Sequence, residues 1–150
     1  MKRQFWPITP VAEKILVDAG PLVAVLNASD QHHGWARQQF DELQPPLLTC
    51  EAVLSEAQFL VHRLGGDPLC ILELVESGVL RPDFDVGTEV GALLGLQRTY
   101  RNLPMSLADA CLVRMTEAHE RARVFTTDSH FRIYRRSGRR LIPLLAPPGV

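Results

Sequence analysis

The stretch Ile15-Leu16-Val17-Asp18 decides the fold class, because it predicts a short buried strand that ends on a carboxylate. Gly20 and Pro21 follow as a tight turn and a favoured first helical residue, so a helix should begin there. The pattern recurs at residues 124–127, a predicted strand that leads into Asp128. Short apolar strands that alternate with helices are typical of an α/β fold with a mostly parallel sheet.

The rest of the chain continues this alternation. Apolar runs and apolar residues at helical spacing predict strands at 47–49, 79–84 and 141–145, and helices at 33–44, 51–64, 68–77, 87–101 and 106–122. We therefore expect a central sheet of about five strands. It should belong to a single domain over residues 15–150, preceded by an N-terminal extension over residues 1–14.

Composition and charge fit a globular domain of this size. The 150 residues carry 16 Lys and Arg against 17 Asp and Glu, so the formal net charge is −1. The sequence contains no run of 18 uncharged apolar residues, and Asp18 interrupts the first apolar run, so we expect neither a membrane partner nor a signal peptide. Cys50, Cys70 and Cys111 are far apart and odd in number, which favours a reducing cytoplasm over a disulfide framework.

Four acidic residues on separate predicted elements are candidates for one site. Asp18 and Asp128 each follow a strand, and carboxylates that follow parallel strands lie at the same edge of the sheet. Asp109 lies in the first turns of an apolar helix, so its carboxylate must be paired, capped or bound to metal. Glu56 lies at the border of the buried face of its helix, whereas Glu51 should face water.

Each acid also has an ordinary structural interpretation. An Asp after a strand is a common turn residue or helix cap. Ser106 and Asp109 have capping-box spacing, although a cap would not exclude metal binding. Glu56 could be an ordinary solvated residue on the flank of its helix, paired with Arg63. If the acids converge, however, their repulsion requires a cation, and Mg²⁺ or Mn²⁺ fits oxygen ligands best. Such a site supports in-line displacement at a phosphodiester.

Arginine is concentrated around the last of these acids. Residues 121–140 hold seven Arg and one acid, a local charge of +6. Guanidinium groups bind phosphate oxygens in pairs, so the segment predicts a nucleic-acid or acidic-partner surface, with a solvated loop as the alternative. We take Arg132, Arg135 and Arg136 as the candidate RNA contacts.

Four segments, in this order, resemble the PIN-domain ribonucleases found as VapC toxins in toxin–antitoxin pairs. They are Leu16-Val-Asp18-Ala-Gly-Pro-Leu-Val, Thr49-Cys-Glu-Ala-Val-Leu-Ser-Glu56-Ala, Met105-Ser-Leu-Ala-Asp109-Ala-Cys-Leu-Val and Phe125-Thr-Thr-Asp128-Ser-His-Phe131. The resemblance implies a three-layer α/β/α fold, Mg²⁺- or Mn²⁺-dependent cleavage of RNA, a homodimer and a small antitoxin partner. It assigns metal binding and catalysis to the four acids, which are Asp18, Glu56, Asp109 and Asp128. It assigns supporting roles to Thr127, as a hydroxyl near the last acid, and to Ser106, at the helix cap.

Two features depart from the family pattern. Many members carry a hydroxyl residue directly after the first Asp, where Ala19 and Gly20 stand here, and many reach that Asp within a few residues of the start. These departures keep a second hypothesis open, a non-catalytic PIN-like module that binds RNA or a protein. A phosphotransfer domain would need a lysine near its Asp, and the only lysines, Lys2 and Lys14, both lie before the first predicted strand, which argues against that function.

Overall fold

Five short parallel strands form the central sheet of the computed structural model, which describes residues 13–150. In chain order they are β1 (Lys14–Val17), β2 (Leu47–Thr49), β3 (Leu80–Pro82), β4 (Ala122–Phe125) and β7 (Leu144–Leu145). They lie side by side in the order β3-β2-β1-β4-β7. Two further strands, β5 (Arg135–Arg136) and β6 (Arg140–Leu141), pair antiparallel in a separate hairpin.

Six helices flank the sheet and complete the expected three-layer α/β/α fold. They are α1 (Ala19–Leu26), α2 (His33–Glu42), α3 (Glu51–Arg63), α4 (Leu69–Glu76), α5 (Val86–Thr99) and α6 (Leu107–Ala118). Within residues 13–150, none of these helices is long and apolar enough to cross a membrane. The expected extension over residues 1–14 lies outside the described residues, apart from its last two positions.

The order of the strands places a switch point beside β1. The chain leaves β1 to build β2 and β3 on one side, and then returns to build β4 and β7 on the other. Val17 pairs with Phe125, so the carboxyl ends of the two central strands lie next to each other. In an open parallel sheet, ligands bind at this kind of position.

The core explains why this edge is firmly held. Leu16, Val17 and Phe125 are fully buried. Trp35 and Phe40 of α2 pack on Phe125, with ring centroids 5.3 and 5.2 Å away. Both residues are partly buried and pack against the core. The strands behind the candidate site are therefore fixed by large apolar contacts.

Several predicted boundaries are wrong. The strand predicted at 124–127 ends at Phe125, and the Thr126 hydroxyl binds Asp18 at the edge of the sheet. The helix predicted at 106–122 ends at Ala118, and β4 begins at Ala122. The strand predicted at 141–145 is divided into β6 and β7, with Pro143 between them.

The three cysteines are free thiols, as the absence of a disulfide framework predicted. Two of them, Cys50 and Cys111, are buried neighbours, and each shifts the pKa of the other's thiol, upwards at Cys50 and downwards at Cys111. This contact joins the start of α3 to α6.

Candidate active site

Asp18 occupies the junction between β1 and α1. Its backbone N–H donates to the Phe125 carbonyl over 2.9 Å, which continues the pairing of β1 with β4. Its Oδ1 accepts from the Ala19 N–H over 2.8 Å and so caps α1, while its Oδ2 accepts from the Thr126 hydroxyl over 2.7 Å. Burial raises the pKa of Asp18 to about 7, although both hydrogen bonds act to lower it; the charges of Asp109 and Glu56 raise it further.

Thr126 links Asp18 to the loop that carries Asp128. Its hydroxyl donates to Asp18 and also accepts from the Asp128 backbone N–H over 2.9 Å. Thr126 is fully buried. The sequence analysis missed this residue and chose its neighbour Thr127. The register between β1 and β4 would have identified Thr126, because Val17 pairs with Phe125 and the next residues along the two strands are Asp18 and Thr126.

Asp128 begins a short 3₁₀ helix over residues 129–132. Its Oδ1 accepts from the His130 backbone N–H over 2.9 Å and lies 2.9 Å from Nδ1 of the His130 ring. Both contacts use the same carboxylate oxygen, and the Asp128 side chain is about one-third exposed. His130 therefore orients Asp128 from one side of the site.

Asp109 lies in the first turn of α6 and is buried. The predicted capping box is present: the Asp109 N–H donates to Oγ of Ser106 over 3.0 Å, and the Ser106 N–H donates to Oδ2 of Asp109 over 3.3 Å. The Tyr134 hydroxyl also donates to Oδ2, over 3.1 Å. Burial raises the pKa of Asp109, the charge of Asp128 adds to the increase, and the bonds from Ser106 and Tyr134 oppose it.

Glu56 approaches the site from α3 and is exposed. Partial burial raises its pKa, and the charges of Asp109 and Asp128 raise it further. Glu51 is also exposed, as predicted. The buried face of α3 consists of Val53, Leu54, Ala57 and Val61. The sequence predicted Glu56 at the border of this face, but the observed face turns Glu56 further towards solvent.

The structure brings the four predicted acids into one electrostatic neighbourhood. Asp18 interacts with Asp109 and Glu56, and Asp128 interacts with Asp109 and Glu56. Repulsion between neighbouring carboxylates favours protonation of one of them, or the binding of a cation that offsets the repulsion. In the part of the chain that the structure describes, no three His, Cys, Asp or Glu side chains are already arranged around a metal-sized space. The donor set itself, four carboxylates, fits Mg²⁺ or Mn²⁺.

Comparison with known proteins decides the family. A family model of the PIN domain matches residues 15–136, which include all four acids. The chain belongs to the PIN-domain family. A search of curated proteins gave no match. Among solved structures, this PIN domain is similar to VapC20 of Mycobacterium tuberculosis, described as a toxin that cleaves the sarcin–ricin loop, with 24% identity and a TM-score of 0.68 over 77% of this chain and 91% of that one.

The missing hydroxyl after the first Asp has a structural counterpart in this PIN domain. A Cβ built at Gly20 would overlap Oγ1 of Thr127 and would come within 3.3 Å of the Thr127 Cβ. The Thr127 hydroxyl therefore lies against the helix start where a larger residue would project. Thr127 follows the end of β4 by two residues and lies beside Gly20, whereas Ser106, the other predicted supporting residue, caps α6.

The three candidate arginines have different environments. Arg132 is exposed, and its Nε donates to the Val150 carbonyl over 2.7 Å. Arg135 is partly exposed and donates to carbonyls of its own segment, including those of Arg132 and Ile133. Arg136 is buried at 2% exposure. It therefore cannot present its guanidinium to RNA in this arrangement.

Arg136 instead holds the end of α6 against the hairpin of β5 and β6. Its guanidinium donates to the Glu120 carbonyl over 3.2 Å and to the Glu120 carboxylate over 3.4 Å. Arg140 contacts the same carboxylate over 3.1 Å. The prediction that Arg136 contacts RNA is corrected on this ground, since a positive local charge in the sequence does not distinguish exposed from buried guanidinium groups.

Proposed function

We propose that this PIN domain is a metal-dependent endoribonuclease. The observation that carries the proposal is the convergence of Asp18, Glu56, Asp109 and Asp128 at the switch point of the sheet, where three of the four have a raised pKa. Clusters of carboxylates with perturbed pKa values at such positions are typical of catalytic sites. When bound, Mg²⁺ or Mn²⁺ would supply an activated water and offset the charge that develops on the phosphate.

The residues of the chain would orient this chemistry. Thr126 fixes Oδ2 of Asp18 and the backbone of Asp128, so the two carboxylates that follow β1 and β4 keep a constant separation. The Ser106 cap fixes Asp109 at the start of α6. Glu56 is the acid that solvent reaches most freely, so substrate would approach from its side of the site.

RNA is the proposed substrate, and its backbone would lie along the segment that follows Asp128. Arg132 belongs to the 3₁₀ helix that Asp128 caps, and Arg135 follows three residues later. Both arginines are at least partly exposed. Arginine contacts to phosphate position a nucleic acid without reading its sequence. These two residues would therefore hold the substrate beside the acids.

We also propose that the protein is the toxin of a type II toxin–antitoxin pair in the cytoplasm, that it forms a homodimer, and that a small antitoxin blocks the acidic site. The resemblance in sequence supports this. Phe59 of α3, with Leu69 and Leu72 of α4, is more than half exposed, and apolar side chains of this size are suited to a protein partner. Co-purification with the product of the adjacent gene, followed by light scattering, tests both partners.

The decisive experiment is cleavage of a mixed RNA pool by the purified protein with Mg²⁺, with Mn²⁺ and with EDTA. Asp18→Asn removes one charge from the site, and Asp85→Asn is the matched control, because Asp85 also caps a helix but is exposed at the start of α5. We expect metal-dependent cutting by the wild type and by Asp85→Asn, and none by Asp18→Asn.

Other results would count against the proposal. Cutting by a folded Asp18→Asn variant at the wild-type rate would refute the site. Intact RNA under every condition, together with measurable RNA binding, would instead favour the non-catalytic module.

A further inference from the structure

We infer that Tyr134 is a positioning residue for Asp109, whose hydroxyl holds one carboxylate oxygen so that the other is presented to a divalent cation. The inference deepens the proposed function and rests on it. Tyr134 lies outside the four segments that identify the PIN domain, and none of the roles assigned above involves a tyrosine.

The geometry at Asp109 is asymmetric. The Tyr134 hydroxyl donates to Oδ2 over 3.1 Å, and the Ser106 N–H donates to the same Oδ2 over 3.3 Å. Two donors on one oxygen restrict rotation of the Asp109 carboxylate about its Cβ–Cγ bond. The described hydrogen bonds to this side chain therefore leave Oδ1 as the oxygen available to a cation.

Tyr134 is itself held rigidly. Its side chain is fully buried. Phe131 and Tyr100 pack edge-on against its ring, with centroids 5.3 and 5.1 Å away, and the His130 ring stacks on it with a centroid distance of 6.4 Å. A buried tyrosine hydroxyl requires a hydrogen-bond partner, and Asp109 is that partner. Because the Tyr134 ring is tightly packed, its hydroxyl has a fixed position and holds the Asp109 carboxylate in one orientation.

This arrangement also connects the acids to one another through aromatic contacts. His130 contacts Asp128 through Nδ1 and stacks on Tyr134, which contacts Asp109. Residues that hydrogen-bond to a ligating carboxylate orient it, and their loss typically lowers metal affinity by about 10- to 100-fold. Tyr134 should therefore act on metal binding more than on folding.

The test compares Tyr134→Phe with Tyr100→Phe in the full chain. Tyr100 belongs to the same aromatic cluster, but its hydroxyl accepts from the Arg135 N–H and does not contact an acid. We expect Tyr134→Phe to bind Mn²⁺ about 10-fold more weakly or worse by calorimetry, and Tyr100→Phe to bind Mn²⁺ as the wild type does. In an Asp109→Asn background, the Tyr134→Phe change should have no further effect on Mn²⁺ binding.

A wild-type measurement keeps the inference testable if Tyr134→Phe does not fold. The chain has two tyrosines, so ¹³C-tyrosine labelling gives two ring signals, and Tyr100→Phe assigns them. Mg²⁺ should shift the Tyr134 signal and leave the Tyr100 signal unchanged. An unshifted Tyr134 signal at saturating Mg²⁺, or equal Mn²⁺ affinity in folded Tyr134→Phe and wild type, would overturn the inference.

The same experiments separate this inference from the proposed function. If the wild type binds Mn²⁺ and cuts RNA while Tyr134→Phe binds Mn²⁺ equally well, only the role of Tyr134 is refuted. If the wild type binds no Mn²⁺, the metal-dependent function and the role of Tyr134 are refuted together.

Discussion

The Thr126 hydroxyl donates a 2.7 Å hydrogen bond to Oδ2 of Asp18 and so joins the ends of the two central strands. Asp18 is nevertheless held with a pKa near 7, because burial disfavours its charge more than this bond and the Ala19 bond favour it. The fold therefore keeps a carboxylate at a position where its ionisation is costly. That cost is a sign of function, since an apolar or amide side chain at this position would fold more easily.

The first prediction concerns stability and pH. The pKa of Asp18 is about 7 in the folded protein against an ordinary value of 3.8, so the folded state binds more protons between these values and stability falls as pH rises through this window. Asp18→Asn cannot ionise and should escape this loss. With EDTA present, the melting temperature of Asp18→Asn should exceed that of the wild type at pH 8, and the gap should shrink at pH 4. A constant gap at both pH values would contradict the assigned pKa.

The second prediction concerns Gly20 and Thr127. A serine at position 20 would restore the hydroxyl that many PIN domains carry after the first Asp, but its Cβ would overlap Thr127. Gly20→Ser should therefore destabilise the fold by about 1 to 3 kcal/mol, a typical cost of overpacking. Adding Thr127→Gly should recover part of this loss, and urea denaturation of the two single variants and the double variant measures the coupling. Strictly additive effects would show that the two residues do not compete for space.

The third prediction separates the two glutamates of α3. Glu56→Gln and Glu51→Gln make the same chemical change on the same helix, and both residues are exposed. Glu56 interacts with Asp109 and Asp128, so Glu56→Gln should reduce kcat for RNA cleavage by about 10-fold or more, a loss of at least about 1.4 kcal/mol. Glu51→Gln should retain activity. Equal activity of the two variants would remove Glu56 from the site.

The fourth prediction separates two arginines of the basic segment. Arg132 is exposed and Arg136 is buried. Arg132→Ala should weaken RNA binding and reduce its salt dependence by about one unit of slope, without loss of stability. Arg136→Ala should lower the free energy of unfolding by about 1 to 3 kcal/mol, because a buried side chain and its bonds to Glu120 are lost. If Arg136→Ala folded normally and lost RNA affinity, Arg136 would be an RNA contact and not a structural residue.

The sequence was sufficient to predict the features that depend on local pattern. Apolar runs located the central strands, and the spacing of Ser106 and Asp109 predicted the capping box. Asp18 and Asp128 could be grouped because parallel strands place their carboxyl ends together, whereas Asp109 and Glu56 joined them through the resemblance to the PIN-domain family. These features follow from the backbone geometry of individual elements and of a parallel sheet.

Features that depend on contacts between distant segments were not predicted. Thr126 was missed because its role depends on the register between β1 and β4. The burial of Arg136 depends on where the hairpin of β5 and β6 packs, and the Tyr134 contact joins residues 25 positions apart. Long-range packing of this kind leaves no periodic signal in the sequence.

The central claim is that Asp18, Glu56, Asp109 and Asp128 together bind the ion that RNA cleavage requires. Anomalous diffraction from crystals soaked in Mn²⁺ tests it most directly, with crystals of Asp18→Asn as the control. We predict an anomalous peak within coordination distance of Asp18 and at least one other of these acids in the wild type, and a weakened or absent peak in the variant. Active protein whose crystals show Mn²⁺ elsewhere, or no Mn²⁺ at these four residues, would contradict the account.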